Sequence, residues 1–556
     1  MYKFVKFFKI NSSSVNNCIR IIPNMLNSLI TSRTLPLFII ITLSILTTGF
    51  LRLQLFSGTP EVDGNYYTFA SQYFYYALSN GVTLKSMSLN LYSLLTSWVY
   101  GFEVNQYIFL RLIDGLVAIS ASIILFKIIL KESNNSLFTI ILVTTLLIII
   151  NDAEIIYFGF RNSIWAAYLP LFSALLIWQN ATKTDNFSFY LIGGLVSLGI
   201  LLREPFLPLF LLAALAIHIS YGWRILVQYL IGSAVLGFSV IGIALMLRGW
   251  DLLDFINSYF MRLGGIETIG FKFPVAIIEA NWFIFIFAFI SIIYLIKLYF
   301  TDKKLVNINR FYFWLALALL PLLEYYLKLG LAYHFANSLI GFAGLTAMGW
   351  KYFNSQESKK IKKLTVMVFT LSSMLIILPA INQNVIKNNR IFLPSDAIQW
   401  VLAPDSFRGE QMIKRSQHLK VAAKVYELTR EDSTLAVSGF WQSLYPLTKL
   451  LPPNDPVTQS SSFVLSDLRG LYLNLNYDKN KLIEILKEHR PTIIVTSVTS
   501  ESTWPGESDI EGIIEKTNLY NKVAVVPKNS YLNKDGKELD RAGFMSAIIY
   551  RLKDFK

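Results

Sequence analysis

Gly58-Thr59-Pro60-Glu61-Val62-Asp63-Gly64-Asn65-Tyr66-Tyr67 is the stretch from which the rest of the chain reads outward. It sets two carboxylates, Glu61 and Asp63, in a Pro/Gly turn between the first long apolar run and an aromatic-rich segment. A charge inside a bilayer is costly, so acids held at the boundary of an apolar run are candidates for chemistry. The plainer reading, the solvated end of a loop, stands beside it.

On either side of that turn the chain is a series of apolar runs. They lie near 35–55, 104–130, 137–151, 164–179, 188–202, 206–220, 229–247, 282–300, 311–329, 334–350 and 364–381. A membrane-crossing helix needs about twenty residues, so these runs predict about eleven spans. Composition agrees. Only 15% of the 556 residues are charged, against about 25% in a soluble domain. The mean hydropathy is +0.48.

The net charge of +14 does not point to nucleic acid, because the basic residues occupy short segments between apolar runs and not one polar face. Lys3, Lys6, Lys9, Arg20 and Arg33 precede the first run with no small-residue cleavage site after it, which predicts an uncleaved first span. Lys127 and Lys131, Lys183, Arg224, Lys303 with Lys304 and Arg310, and the group Lys351, Lys359, Lys360, Lys362 and Lys363 fall in alternate connections with that tail. By the positive-inside rule these face the cytoplasm. The opposite set then faces out: 52–103, 151–163, 202–205, 248–281, 328–334 and everything after 382.

Three segments follow: a basic cytoplasmic stretch over 1–34, a membrane domain over 35–381 and an extracytoplasmic domain over 382–556. The first outer loop, 52–103, is too long for a simple connector. Tyr66, Phe69, Ala70, Tyr73, Phe74 and Ala77 recur at helical spacing, as do Leu84, Met87, Leu91, Leu94, Leu95, Trp98 and Phe102. Their Tyr and Trp content predicts two amphipathic helices lying in the membrane interface, with core helices of an outer domain as the alternative. After 382 apolar runs shorten. Thr434–Ser438, Thr492–Val498, Lys522–Val526 and Met545–Arg551 read as strands, and Arg415–Thr429 and Lys479–Glu488 as helices, which is the pattern of an α/β domain.

Chemistry-bearing residues gather in the outer set. The second outer loop holds Asn151, Asp152, Glu154 and Arg161, acids on the same side as Asp63. Arg203-Glu204-Pro205 interrupts an otherwise apolar stretch. A charge at a span centre costs roughly 2.5–3.5 kcal/mol, so the pair belongs at a span end or in a polar cavity. It is either a salt bridge marking that end or an Arg holding an anion, a task suited to the planar guanidinium fork. Lys328, Tyr333 and His334 stand at the next outer connection, where a lone histidine is more often structural than catalytic. The single cysteine, Cys18, excludes an intramolecular disulfide and a cysteine metal cluster, and the four histidines show no metal-ligand spacing.

Asp63 followed by Tyr66, Tyr67 and Ala70, the acidic second loop, Leu201-Leu202-Arg203-Glu204-Pro205, Tyr333-His334-Phe335, and an outer domain with Gly439-Phe440-Trp441, Tyr445 and Pro452-Pro453 together resemble the GT-C glycosyltransferases. The nearest likeness is to the bacterial branch akin to protein O-mannosyltransferases and the lipid A aminoarabinose transferase. The resemblance covers nearly the whole chain in architecture, though its motifs are short. It implies inverting transfer of a sugar from a polyprenyl-phosphate carrier to a lipid, glycan or protein acceptor outside the cytoplasmic membrane, among membrane lipids. It implies Asp63 as general base, Asp152 or Glu154 as second-loop acid, and Arg203 as phosphate ligand with Lys328 and His334 in the same region. Tyr66, Tyr67, Arg161 and Glu204 join the substrate-binding set. Many relatives carry Asp-Glu in the first loop where this chain has Asp63-Gly64, and Glu61 is the displaced candidate. Some relatives use a divalent metal; no ligand set is visible here and none is assigned. Two further readings remain: a flippase for lipid-linked glycans, disfavoured by the lack of an internal repeat, and a non-catalytic scaffold of envelope assembly.

Overall fold

The computed structural model describes residues 34–50, 62–80, 91–102, 104, 106–151, 162–182, 186–203, 206–248, 253, 282–301, 308–327, 332–356, 358–381, 417–439, 441–453, 467–499, 506–528 and 546–555. Each of the eleven apolar runs is helical in the part described. In order, α1 is Thr34–Ser44, continued by a π-helical turn over Ile45–Phe50. The first-loop helices α2 (Val62–Asn80) and α3 (Leu91–Thr96) follow, α3 running on as a 3-10 turn over Ser97–Gly101. The bundle continues with α4 (Gln106–Ser133), α5 (Ser136–Ile150), α6 (Asn162–Trp178), α7 (Asn186–Leu202), α8 (Leu207–Tyr221) and α9 (Trp223–Arg248). It closes with α10 (Trp282–Thr301), α11 (Ile308–Leu327), α12 (Ala332–Gln356) and α13 (Lys359–Ile381). Three stretches, Leu112–Ser133, Trp223–Ile243 and Trp282–Thr301, are long and apolar enough to cross a membrane. The bundle is apolar outside as well as in: Phe238, Met246, Phe289, Phe300 and Leu375 are all exposed. Such a helix surface suits lipid better than water.

Close packing fixes the bundle. A Cβ on Gly193 of α7 would stand 2.0 Å from the Tyr229 carbonyl of α9, and one on Gly232 of α9 would stand 2.0 Å from the Tyr190 carbonyl of α7. The two backbones therefore touch, as small residues allow in membrane helices. The Ser233 hydroxyl donates to the Gly193 carbonyl at 3.0 Å across the same contact.

One end of the bundle ties five connections together. Lys131 Nζ donates to the Gln179 carbonyl and to Asn180 Oδ1, each at 2.5 Å. Gln179 Nε2 donates to Glu132 Oε1 at 2.6 Å, and Arg310 pairs with Glu132 at 3.6 Å. Asn309 bonds Ser220, and the ring of Phe138 stacks on Trp350 at 4.4 Å. These are the ends of α4, α6, α8 and α12 and the starts of α5 and α11, so successive helices alternate in direction as the basic residues predict. This is the Arg310 end. The starts of α4, α6 and α12 and the ends of α5 and α7 lie at the opposite, Arg203 end.

The C-terminal part is a small α/β domain: α14 (Gln417–Glu427), β1 (Leu435–Val437), α15 (Leu444–Thr448), α16 (Leu468–Asn474), α17 (Lys479–His489), β2 (Ile493–Ser497), α18 (Glu507–Lys516), β3 (Tyr520–Val526) and β4 (Ala547–Leu552). All four expected strands are present. The sheet order is β1-β2-β4-β3. β1 and β2 are parallel with Leu435 opposite Ile493, and β4 is antiparallel to both neighbours. Local chemistry sets the junctions. Asp478 caps α17 by accepting from the amides of Asn480 and Lys481, and Arg490 leaves the helix in the left-handed region before Pro491.

The two faces of the sheet pack different layers. Ala436, Ile494, Ile548 and Tyr550 meet α16, α17 and α18. Leu435, Val437, Ile493 and Val495 meet α14, α15 and, from the first outer loop, α2. Phe69, Ala70, Tyr73 and Phe74 of α2 are buried in that core. Helical spacing picks out the apolar face of α2 correctly, and that face packs as the alternative reading, a core helix of the outer domain, expects. Protein covers it, and burying Phe69 and Phe74 contributes roughly 2 kcal/mol each. The second predicted interfacial segment divides. Leu91 is buried, whereas Leu95, Trp98 and Phe102 are about half exposed, and Trp98 and Phe102 meet Phe109 of α4 edge to face.

Candidate functional site

The Arg203 end gathers buried polar side chains on helix ends. Arg203 follows the last turn of α7, whose position is set by the glycine contact with α9, and it is 5% exposed. Its backbone N–H donates back to the carbonyls of Gly199 and Ile200, and its carbonyl accepts from Phe206 N–H at 3.1 Å. That turn brings the Phe206 ring to 5.2 Å from Tyr168 of α6. Tyr168 Oη in turn donates to Asn337 Oδ1 of α12 at 2.9 Å. Three helix ends are therefore linked around Arg203. Asn337 and the adjacent Ser338 are fully buried, and Asn337 Nδ2 and Ser338 Oγ have no hydrogen-bond partner among the described residues. Buried polar atoms of this kind are normally satisfied, by protein, water or ligand.

Below Tyr168 the walls become wholly apolar. A narrow apolar seam, with a void of about 30 Å³, runs between α6, α7, α8 and α11. Tyr168 lies at its Arg203 end and Trp178 and Ile217 at its Arg310 end. Ten residues of α6 separate Tyr168 from Trp178, a span of about 15 Å along the helix axis. A buried cation near the end of an apolar seam suits an anionic head, whose hydrocarbon tail would part the helices that line the seam.

A second buried acid was missed by the sequence reading. Asp114, in the third turn of α4, is 4% exposed and accepts from Tyr92 Oη of α3 at 2.5 Å. The available signal was a carboxylate inside the apolar run 104–130, which by its cost alone marks a position with a purpose. This bond, with Ser71 Oγ against Thr96 Oγ1 at 2.8 Å, ties α3 to α4 and to α2.

The other sequence-predicted site residues are placed only in part. Asp63, Tyr66 and Tyr67 occupy the first turns of α2, and His334 the first turn of α12, three residues before Asn337; their side chains lie outside what is described. Glu61, Asp152, Glu154, Arg161, Glu204 and Lys328 lie outside the described residues altogether. In the chain Asp152 follows the buried Asn151 that ends α5, and Glu204 follows Arg203. No group of three or more His, Cys, Asp or Glu able to hold a metal ion occurs among the described residues.

No protein-family model matches the chain, and no curated protein matches it.

Proposed function

We propose that the protein is a lipid-linked sugar transferase of the GT-C type. It takes a sugar from a polyprenyl-phosphate carrier and passes it to a lipid, glycan or protein acceptor on the outer face of the cytoplasmic membrane. About eleven spans put the N-terminus in the cytoplasm and the α/β domain outside. The Arg310 end is then the cytoplasmic end, in keeping with its basic connections.

The acceptor hydroxyl oxygen attacks the anomeric carbon from the face opposite the phosphate. The bond from that carbon to the phosphate oxygen breaks, and polyprenyl phosphate leaves with both electrons of the broken bond. Asp63 takes the hydroxyl proton. The leaving group is already a good one, so the larger need is a fixed cation where its charge develops, which is the task of Arg203.

The single observation that carries this reading is the buried Arg203 at the end of α7, linked through Phe206 to Tyr168 at the head of the apolar seam. Its test is the binding of polyprenyl phosphate to the full-length protein in nanodiscs. Arg203→Gln is expected to weaken binding by at least tenfold, since a hydrogen bond to a charged group is worth about 1.5–3 kcal/mol, in protein that still folds into the nanodisc. Unaltered affinity in a folded Arg203→Gln protein would contradict the assignment.

A further inference from the structure

A second group of buried polar side chains stands apart from Asp63 and Arg203, at the edge of the sheet where β1 and β2 end. Ser438 N–H donates to the Val495 carbonyl at 2.9 Å and holds the two strand ends together. Gly439 follows with φ of +72°, and a Cβ there would stand 2.5 Å from both carboxylate oxygens of Glu507. Glu507 opens α18 and is 1% exposed, so its carboxylate lies directly on the Gly439 backbone. Asp467, just before α16, accepts from Gly439 N–H at 3.3 Å, and Arg469 is the cation near both acids. Asp467 and Arg469 are partly exposed and form a rim over this buried floor.

Helix capping explains Asp467, which also accepts from the Arg469 and Gly470 amides at the start of α16. It does not explain the floor. Ser438 and Thr496 are fully buried and continue the strand alternation of Ala436 and Ile494, on the face covered by α18. Neither Ser438 Oγ nor Thr496 Oγ1 has a hydrogen-bond partner among the described residues. Burial raises the Glu507 carboxyl to about 7, against the opposing pull of Arg469. Burial raises Asp467 also, with the amides and Arg469 opposing. Two carboxylates against one guanidinium leave carboxylate oxygens in excess, and each unsatisfied hydroxyl can accept as well as donate. A group that completes the set brings N–H or O–H donors and is not an anion.

We propose that this sheet edge binds a donor-rich sugar ring, hydroxylated or aminated, as the acceptor side of the transfer; the proposal rests on the transferase reading above. Its location agrees. Asp467 lies near enough to the Tyr445 phenol to act on it electrostatically. Tyr445 packs on Phe69 of α2 at 4.5 Å, and α2 begins at Val62-Asp63.

The test is ligand-observed NMR on the full-length protein in nanodiscs, with glucose and glucosamine as probes at pH 6 and pH 8. At least one probe is expected to bind saturably. Thr496→Val should keep the fold, because the lost hydroxyl has no protein partner among the described residues, yet weaken binding roughly tenfold. Glu507→Gln should weaken it as well. Glucosamine binding tighter than glucose binding at pH 6, where the amine carries its proton, identifies the ammonium as the recognised donor. Equal glucose binding at both pH values identifies the hydroxyls. Absence of saturable binding by either probe, or affinity unchanged in both variants, overturns the proposal. Transfer that needs Asp63 without probe binding removes this site and leaves the transferase reading intact. Probe binding beside full transfer by Asp63→Asn removes the role of Asp63 instead.

Discussion

The Arg310 and Arg203 ends of the bundle use the same helices and differ in how a buried charge is paired. At the Arg310 end Glu132, 2% exposed, has both its partners in the bundle, Gln179 at 2.6 Å and Arg310 at 3.6 Å. Gln179 Oε1 and Trp350 Nε1 are also buried there without a partner among the described residues, so what marks this end is a buried charge paired inside the bundle. At the Arg203 end Asn337 and Ser338 are buried with polar atoms that no described side chain satisfies, and the end is covered by an added domain whose core includes α2. A satisfied buried network fixes one arrangement of helices. An incompletely satisfied one beside an apolar seam is what a binding site requires before its ligand arrives. On the proposed function, the Arg310 end is the structural end and the Arg203 end the working one.

The comparison is open to attack from both sides. The largest effect is expected at Tyr445, which joins the α/β domain to α2 through Phe69 and accepts, at its backbone carbonyl, a bond from Gln72 at 3.5 Å. Tyr445→Ala should cost about 3–5 kcal/mol in domain stability by the usual toll of a buried aromatic truncation. It should also lower transfer per folded molecule, because α2 carries Asp63. Tyr445→Phe, which keeps the ring, should lose little of either, and denaturant melts with transfer assays would separate the two losses. Next comes Glu132→Ala at the other end, where Arg310 would lose its anion and Gln179 an acceptor. With Arg310 partly exposed, a cost of about 2 kcal/mol is expected, below the 3–5 typical of a fully buried pair. Transfer per folded molecule should stay unchanged. A large fall in turnover from Glu132→Ala, without destabilisation, would erase the distinction between the ends.

Much of this architecture is legible in the sequence, and the parts that are not have a common cause. Hydrophobic period identifies an element and its buried face. It places all four strands, the helices over Gln417–Glu427 and Lys479–His489, and a helix in every apolar run. It does not name what covers a face. Phe69, Ala70, Tyr73 and Phe74 share one face of α2 by spacing alone, but their partners come from residues 419–549, more than three hundred positions away. Tyr content by itself favours the headgroups. Asp467 and Glu507 escape a sequence reading for the same reason, since Ser438, Gly439 and Thr496 assemble with them only when β1 pairs with β2. Asp114 is legible as an acid in an apolar run. Arg203 stands out because a cation between two apolar runs is costly, and the structure buries it at a helix end as that cost predicts.

The central claim is that the Arg203 end transfers a sugar with Asp63 as the base. Its most direct test is mass spectrometry of envelope glycolipids and glycoproteins from cells lacking the protein, complemented by wild type or by Asp63→Asn. A general base contributes about 10²–10⁴-fold in rate, so wild type should restore one missing sugar and Asp63→Asn should not, though it reaches the membrane folded. Restoration by both proteins would contradict the role of Asp63, and a profile that does not change on deletion would contradict the transferase itself.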